Sequence, residues 1–178
     1  PMTFVSALDG ETGKTLWTFD PEAYTFGSPP NLGFISRGLT YWEEGNDKRI
    51  IVGTADGYLI ALDAKTGKPI RSWGDNGRAD LTKGLLKAVD RANISLTSPP
   101  IVCGNQIIPS MAVLDSFAVG RAPMQSHPAG DIQAFDIKTG KRSWVFHNPP
   151  QKGEKGNKSW DTDAWKQTGG MNMWARPS

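Results

Sequence analysis

One pattern occurs three times in 178 residues, at Ala7–Trp17, Ala61–Arg71 and Ala134–Trp144. Each copy runs through Ala, an apolar residue and Asp, then two variable residues, then Thr-Gly-Lys. The mutual spacing of Ala, Asp, Thr, Gly and Lys is the same in all three, which marks a repeat architecture. One copy reads as a β-hairpin. Asp9, Asp63 or Asp136 ends one strand, and a short connection closes on Gly13, Gly67 or Gly140. Gly accepts positive φ there without a Cβ clash, as a longer hairpin loop with a bulge requires. The Asp carboxylate is placed to accept hydrogen bonds from the loop amides just ahead of it. The following strand ends on Trp17 in the first copy and Trp144 in the third, whereas Arg71 stands at that position in the second, with Trp73 close by.

The stretches between copies extend this pattern. Strand-like runs at 38–42, 49–54 and 58–63 are separated by polar turns, an antiparallel meander leading into the second copy. The meander resumes at 98–103, 106–113 and 130–136 and enters the third copy. A four-stranded antiparallel sheet recurring along a chain is the blade of a β-propeller, so the fold class is all-β. Gly and Pro total 33 (20 and 13) and Trp totals 7, a composition of turns and short strands. Residues 74–96 break the pattern and read as an excursion outside a blade, with a short turn of helix at 81–90 weakened by Gly84.

Charge is near balance, 20 Lys+Arg against 18 Asp+Glu, which gives no electrostatic signal for nucleic acid or an acidic membrane surface. The single cysteine, Cys103, allows no intrachain disulfide, and its apolar neighbours predict a buried, inert thiol. No phosphate loop, His-x-x-x-His pair or Cys-x-x-Cys is present. His127 and His147 have no ligand spacing and read as surface or structural histidines. Asn93-Ile-Ser95 and Asn157-Lys-Ser159 match the glycosylation pattern, which is common by chance. Trp160 and Trp165, with two carboxylates between them, suit either a loop packing its own aromatics or a sugar platform.

The Ala-x-Asp-x-x-Thr-Gly-x-x-x-Trp repeat resembles the tryptophan-docking motif of pyrroloquinoline quinone (PQQ)-dependent dehydrogenases, the quinoproteins. Three further stretches resemble their cofactor segments: Ser36–Trp42 around Arg37, Leu96–Pro100 around Thr97, and Asp163–Trp174 ending in a tryptophan. The run Gly74–Leu85 and the pair Phe146-His147 look more like the membrane-bound glucose and quinate dehydrogenase branch than the methanol branch. The paired cysteines of the methanol branch are replaced by Asn31 and Leu32.

The resemblance implies an eight-bladed propeller, of which residues 1–178 would form about two and a half blades with open sheet edges. It implies PQQ and Ca²⁺ as cofactors. Trp174 would stack on the flat quinone, and Arg37 would offer a planar fork to a carboxylate or to the quinone oxygens. Thr97 and Asn172 would bond at the ring edge. Asp115 falls where the family's calcium carboxylate belongs, although Ser110–Asp115 departs from the small-residue run of the methanol branch. The catalytic base is expected downstream of Trp174, so no catalytic residue is assigned within this chain. The implied function is oxidation of a sugar or polyol, glucose first and quinate second. Electrons would pass to ubiquinone at the periplasmic side of the inner membrane, with membrane contact through regions outside this chain. The alternatives are a non-catalytic propeller scaffold and a sugar-binding propeller using Trp160 and Trp165.

Overall fold

A computed structural model of the protein describes residues 3–27, 33–113, 130–160, 162–167 and 172–173. The first repeat forms the hairpin β1 (Val5–Leu8) and β2 (Thr15–Phe19), with a register shift at Ala7/Leu8. The turn chemistry is the same in every copy. Asp9 Oδ1 accepts from the amide of Thr12 at 2.7 Å and from its hydroxyl at 2.6 Å. Asp63 does so with Thr66 at 2.8 and 2.7 Å, and Asp136 with Thr139 at 2.7 and 2.8 Å. Gly13, Gly67 and Gly140 close the turns at φ 69°, 69° and 71°. A carboxylate between two donors and a glycine in the left-handed region determine each connection, as the repeat predicts.

The second blade is an antiparallel four-stranded sheet of β3 (Thr40–Glu44), β4 (Asp47–Gly53), β5 (Tyr58–Asp63) and β6 (Arg78–Asp80). The excursion expected at 74–96 therefore contains a blade strand. Pro69, which lacks an N–H, makes one bridge to Leu62 and cannot continue the ladder. Ile70 N still donates to Ala61 O of β5 at 2.9 Å, after which the chain turns through Ile70–Gly77 and forms a strand beside β5 at Arg78–Asp80. No α-helix forms at 81–90; a 3₁₀ turn follows at Arg91–Asn93. Residues Ile94–Ser95 (β7) pair with Ala112–Val113 (β10). The third blade is β8 (Ile101–Cys103), β9 (Gln106–Ile108), β11 (Ile132–Asp136) and β12 (Arg142–Phe146), in the order β12-β11-β9-β8. A single α-helical turn, Ala164–Gln167, is described beyond it.

Tryptophans join the blades. Trp17 lies on the second turn, where a Cβ on Gly67 would come within 2.4 Å of its ring, and its indole N–H donates to Ala64 O at 3.2 Å. In the second copy Trp73 takes this role. It is fully buried, packs on Gly140 of the third turn and donates to Ile137 O at 2.9 Å. The chain turn forced by Pro69 moves the docking ring two residues past Arg71 without changing its target, since Ala64 and Ile137 occupy the same place after the repeat Asp. Around Trp73 the main core gathers Ile51, Leu59, Leu81, Ile94, Ile107, Phe135 and Ile137. Cys103 is exposed, contrary to the buried thiol expected from its neighbours. It is the last residue of β8, at the sheet margin beside the Gly104-Asn105 turn, where the apolar run ends.

Candidate cofactor site

Arg37 and Thr97 stand just ahead of β3 and β8, the first strands of two successive blades. These strands lie side by side, tied by the Thr40 hydroxyl donating to the Pro100 carbonyl. That contact brings the segments leading into the strands together. The backbone N–H of Arg37 donates to Thr97 O at 2.8 Å, and its guanidinium Nη1 donates to Thr97 Oγ1 at 2.9 Å. The remaining guanidinium N–H groups have no hydrogen bond to a described residue, and the side chain is exposed. An arginine anchored at one nitrogen and open at the others is pre-set to receive a planar anion, because holding the fork removes part of its rotamer entropy beforehand.

Asn172 reaches the same neighbourhood from the far end of the sequence. Its amide nitrogen donates to Val113 O at 2.8 Å, and Val113 N donates to its Oδ1 at 2.8 Å. The side chain thus clamps the edge of β10; its second amide N–H and second lone pair have no further partner among the described residues. Sequence reasoning placed Asn172 at a ring edge and missed this clamp, for which a lone Asn carries no local signal. It also missed the buried Ser110, whose hydroxyl donates to Ser98 O at 3.3 Å next to Thr97. Trp174 and Asp115 lie outside the described residues, each two positions beyond a member of the Asn172–Val113 clamp. A cavity of about 250 Å³ lined by Phe4, Phe34, Ser36, Gly38 and Leu39 flanks Arg37.

Other sequence candidates resolve differently. His147 Nδ1 lies 2.8 Å from Glu154 Oε1, and Glu154 also accepts from Gln151 N at 2.7 Å, so this histidine holds a loop. The neighbouring Asp131 is buried and accepts from Asn148 N at 2.9 Å; burial pushes its carboxyl above the usual carboxylate value. Trp165 carries the ammonium of Lys166 over its ring at 5.4 Å, the arrangement of a segment packing its own aromatics. His127 lies outside the described residues. Among the described residues no three His, Cys, Asp or Glu side chains gather to hold a metal ion.

Residues 1–178 match the PQQ family described as glucose/ethanol/alcohol dehydrogenase, beta-propeller domain. The chain belongs to this family of PQQ-dependent dehydrogenases. It is 34% identical to the quinoprotein glucose dehydrogenase of Gluconobacter oxydans over 79% of its own length and 18% of that protein's. It is 33% identical to the dehydrogenase subunit of the quinone alcohol dehydrogenase of Gluconacetobacter polyoxogenes, over 97% and 23%. The crystal structure of the quinohemoprotein alcohol dehydrogenase of Comamonas testosteroni superposes with a TM-score of 0.67 at 25% identity, covering 97% of this chain and 24% of that one. The chain therefore spans about a fifth of the curated relatives it matches. The propeller fold expected from the repeats is the family's fold. The residues present fit the family's cofactor: an anchored Arg with an open fork suits a tricarboxylated quinone, and Thr97 keeps its hydroxyl beside that fork.

Proposed function

We propose that this chain supplies one wall of the PQQ site in a dehydrogenase that oxidises a sugar or polyol, glucose first and quinate second. The reading extends to Ca²⁺ beside the cofactor with Asp115 among its ligands, ubiquinone as electron acceptor, and the periplasmic side of the inner membrane as location. The observation that carries it is the bond from Arg37 to Thr97, which joins two cofactor segments sixty residues apart in a family-matched propeller. The similarity to the Gluconobacter oxydans glucose dehydrogenase supports a sugar, while the similarity to quinone alcohol dehydrogenases supports a quinone acceptor.

When bound, PQQ accepts the electrons of the substrate C–H bond; the protein's part is to bind and orient it. Arg37 neutralises negative charge at the cofactor rim, and Thr97 holds the guanidinium in place. Asn172 ties β10 to the segment carrying Trp174, the aromatic face assigned to stacking.

The test uses the full-length apoprotein. PQQ is titrated with and without Ca²⁺, followed by binding calorimetry and by reduction of a ubiquinone analogue with glucose, quinate and ethanol. Saturable PQQ binding weakened by Arg37→Ala, with turnover on glucose or quinate, is the expected result. Full PQQ binding by the Arg37→Ala protein would remove the site assignment, and a lack of PQQ binding by the unaltered protein would leave the scaffold reading.

A further inference from the structure

A second cleft carries cationic side chains of the third repeat. It measures about 280 Å³ and opens where β6 meets the third repeat turn, lined by Gly74, Asp75, Arg78, Lys83, Lys141 and Arg142 among others. Strand pairing sets its two walls differently: Arg78–Asp80 pair with Ile60–Tyr58, at the end of the second blade that leads to Arg37, whereas the third repeat turn lies at the end of the third blade opposite Thr97. Ile101, which follows Thr97, pairs with Ile108, whereas Cys103 and Asp136 share Gln106 as partner, so the 137–141 turn lies at the far end of the sheet.

Charge bookkeeping in the cleft is one-sided. Asp80 is taken by Arg91 at 2.6 Å and by the Thr82 hydroxyl at 2.7 Å. Asp75 pairs with Lys83 at 3.7 Å. Lys141 and Arg142 remain; neither forms an ion pair with a described carboxylate, although the buried Asp131 carboxyl feels the Arg142 charge.

The cleft also has a built arginine. Arg142 Nη1 donates to Lys83 O at 2.6 Å and lies 3.4 Å from Oε1 of Gln133. Gln133 is itself buried and anchored to Leu81 O at 2.8 Å. Gly84 makes room for the guanidinium: a Cβ there would come within 2.3 Å of Nη2. With Nη1 held, Nη2 and Nε have no partner among the described residues, which is the side-on fork that takes two oxygens of an oxyanion. Arg78 borders the cleft through its strand, while its guanidinium lies over the Tyr58 ring at 5.6 Å, on the face of the second blade that packs toward Trp17 and Phe19.

We propose that this cleft between the second and third blades is an anion site for a phosphate group, held by Arg142 with Lys141. The group is either free phosphate or the phosphodiester of a lipid headgroup, since both present the same paired oxygens to the fork. Apolar walls from Ala79 and Phe135 focus the field of Arg142 and Lys141 on the bound group.

The full-length protein is titrated calorimetrically with inorganic phosphate and with glycerophosphoglycerol, the deacylated headgroup of phosphatidylglycerol, against chloride at matched ionic strength. Saturable binding of at least one probe is expected, weakened at least about tenfold in the Lys141→Gln/Arg142→Gln protein. Tighter binding of phosphate identifies the free ion, and tighter binding of glycerophosphoglycerol identifies the headgroup. Lys141→Gln alone changes an exposed turn position, so it provides a second reading should the double variant fail to fold, and it should weaken binding about threefold. PQQ binding is expected to be unchanged in both variants, because Lys141 and Arg142 follow the third repeat turn, at the end of the third blade opposite Thr97. Binding no stronger than chloride, or equal binding by the unaltered and Lys141→Gln proteins, overturns the proposal.

Discussion

Trp73 and Arg49, both from the second blade, donate to one carbonyl of the third: Ile137 O accepts the indole N–H at 2.9 Å and the guanidinium Nη1 at 2.8 Å. Arg49 also donates to Lys138 O at 3.1 Å, while its Nε and Nη2 hold both oxygens of Asp47 at 2.8 and 2.6 Å. This buried arginine, only 8% exposed, thus joins two blades and is itself neutralised within its own blade.

That arrangement depends on a planar fork. Arg49→Lys keeps the charge but can satisfy Asp47 or the Ile137 and Lys138 carbonyls, not both, leaving buried polar atoms unpaired. A loss of about 2 kcal/mol is expected, seen as a lower denaturation midpoint of the full-length protein. An unchanged midpoint would show that the interblade bonds contribute little.

Glycines with the same backbone conformation should differ in cost according to what faces them. Gly140 has φ 71° and an added Cβ would come within 2.7 Å of the Trp73 ring; Gly104 has φ 56° and nothing within 4 Å. Gly104→Ala should cost about 1 kcal/mol, the conformational part alone. Gly140→Ala should cost about 3 kcal/mol, because the docked tryptophan must also move. Equal melting temperatures for the two variants would contradict this account of docking.

Acid sensitivity should trace in part to Asp80. Burial by itself raises its pKa, but the Arg91 ion pair and the Thr82 bonds outweigh burial and hold the carboxyl below its ordinary 3.8. A depressed folded pKa contributes stability that is present above the ordinary value and lost as pH falls through the folded one. The native protein should therefore lose melting temperature as pH falls below 3.8. Asp80→Asn should start lower at neutral pH and fall less over the same range. Parallel curves for the two proteins would exclude this carboxylate as a contributor.

Thr97 is assigned to positioning Arg37 as well as to the ring edge. Thr97→Val removes the acceptor at 2.9 Å and should weaken PQQ binding about tenfold with little change in apoprotein stability. Thr97→Ser keeps the hydroxyl and should restore most of it. Calorimetric titration of PQQ separates the two; failure of Ser to rescue would mean that the methyl group, not the bond, matters.

The hairpins of the repeat were legible because their causes are local. Asp136, Thr139 and Gly140 satisfy one another within five residues, so spacing alone announces the turn. Cys103 was misread because an apolar run shows that a strand exists and not where in the sheet it stands. Residues 74–96 were misread because Pro69 displaced the fourth strand beyond the expected interval, and the strand that replaced it is only three residues long. Arg37 and Thr97 were found through resemblance, since nothing local in Ser36–Trp42 or Leu96–Pro100 points to the other segment.

The sequence by itself determined the turns, the repeat period and hence a propeller. Each rests on hydrogen bonds and backbone angles spanning a few residues, and those are written in residue type and order. Only the tertiary structure decided that Trp73 docks in place of Arg71, that Ile137 O takes two donors, and that Arg37 meets Thr97. It also decided that Arg142 is held by Lys83 and Gln133, residues of two different blades. These relationships come from the packing of whole blades, where the position of a side chain depends on the sum of many weak contacts made by other residues.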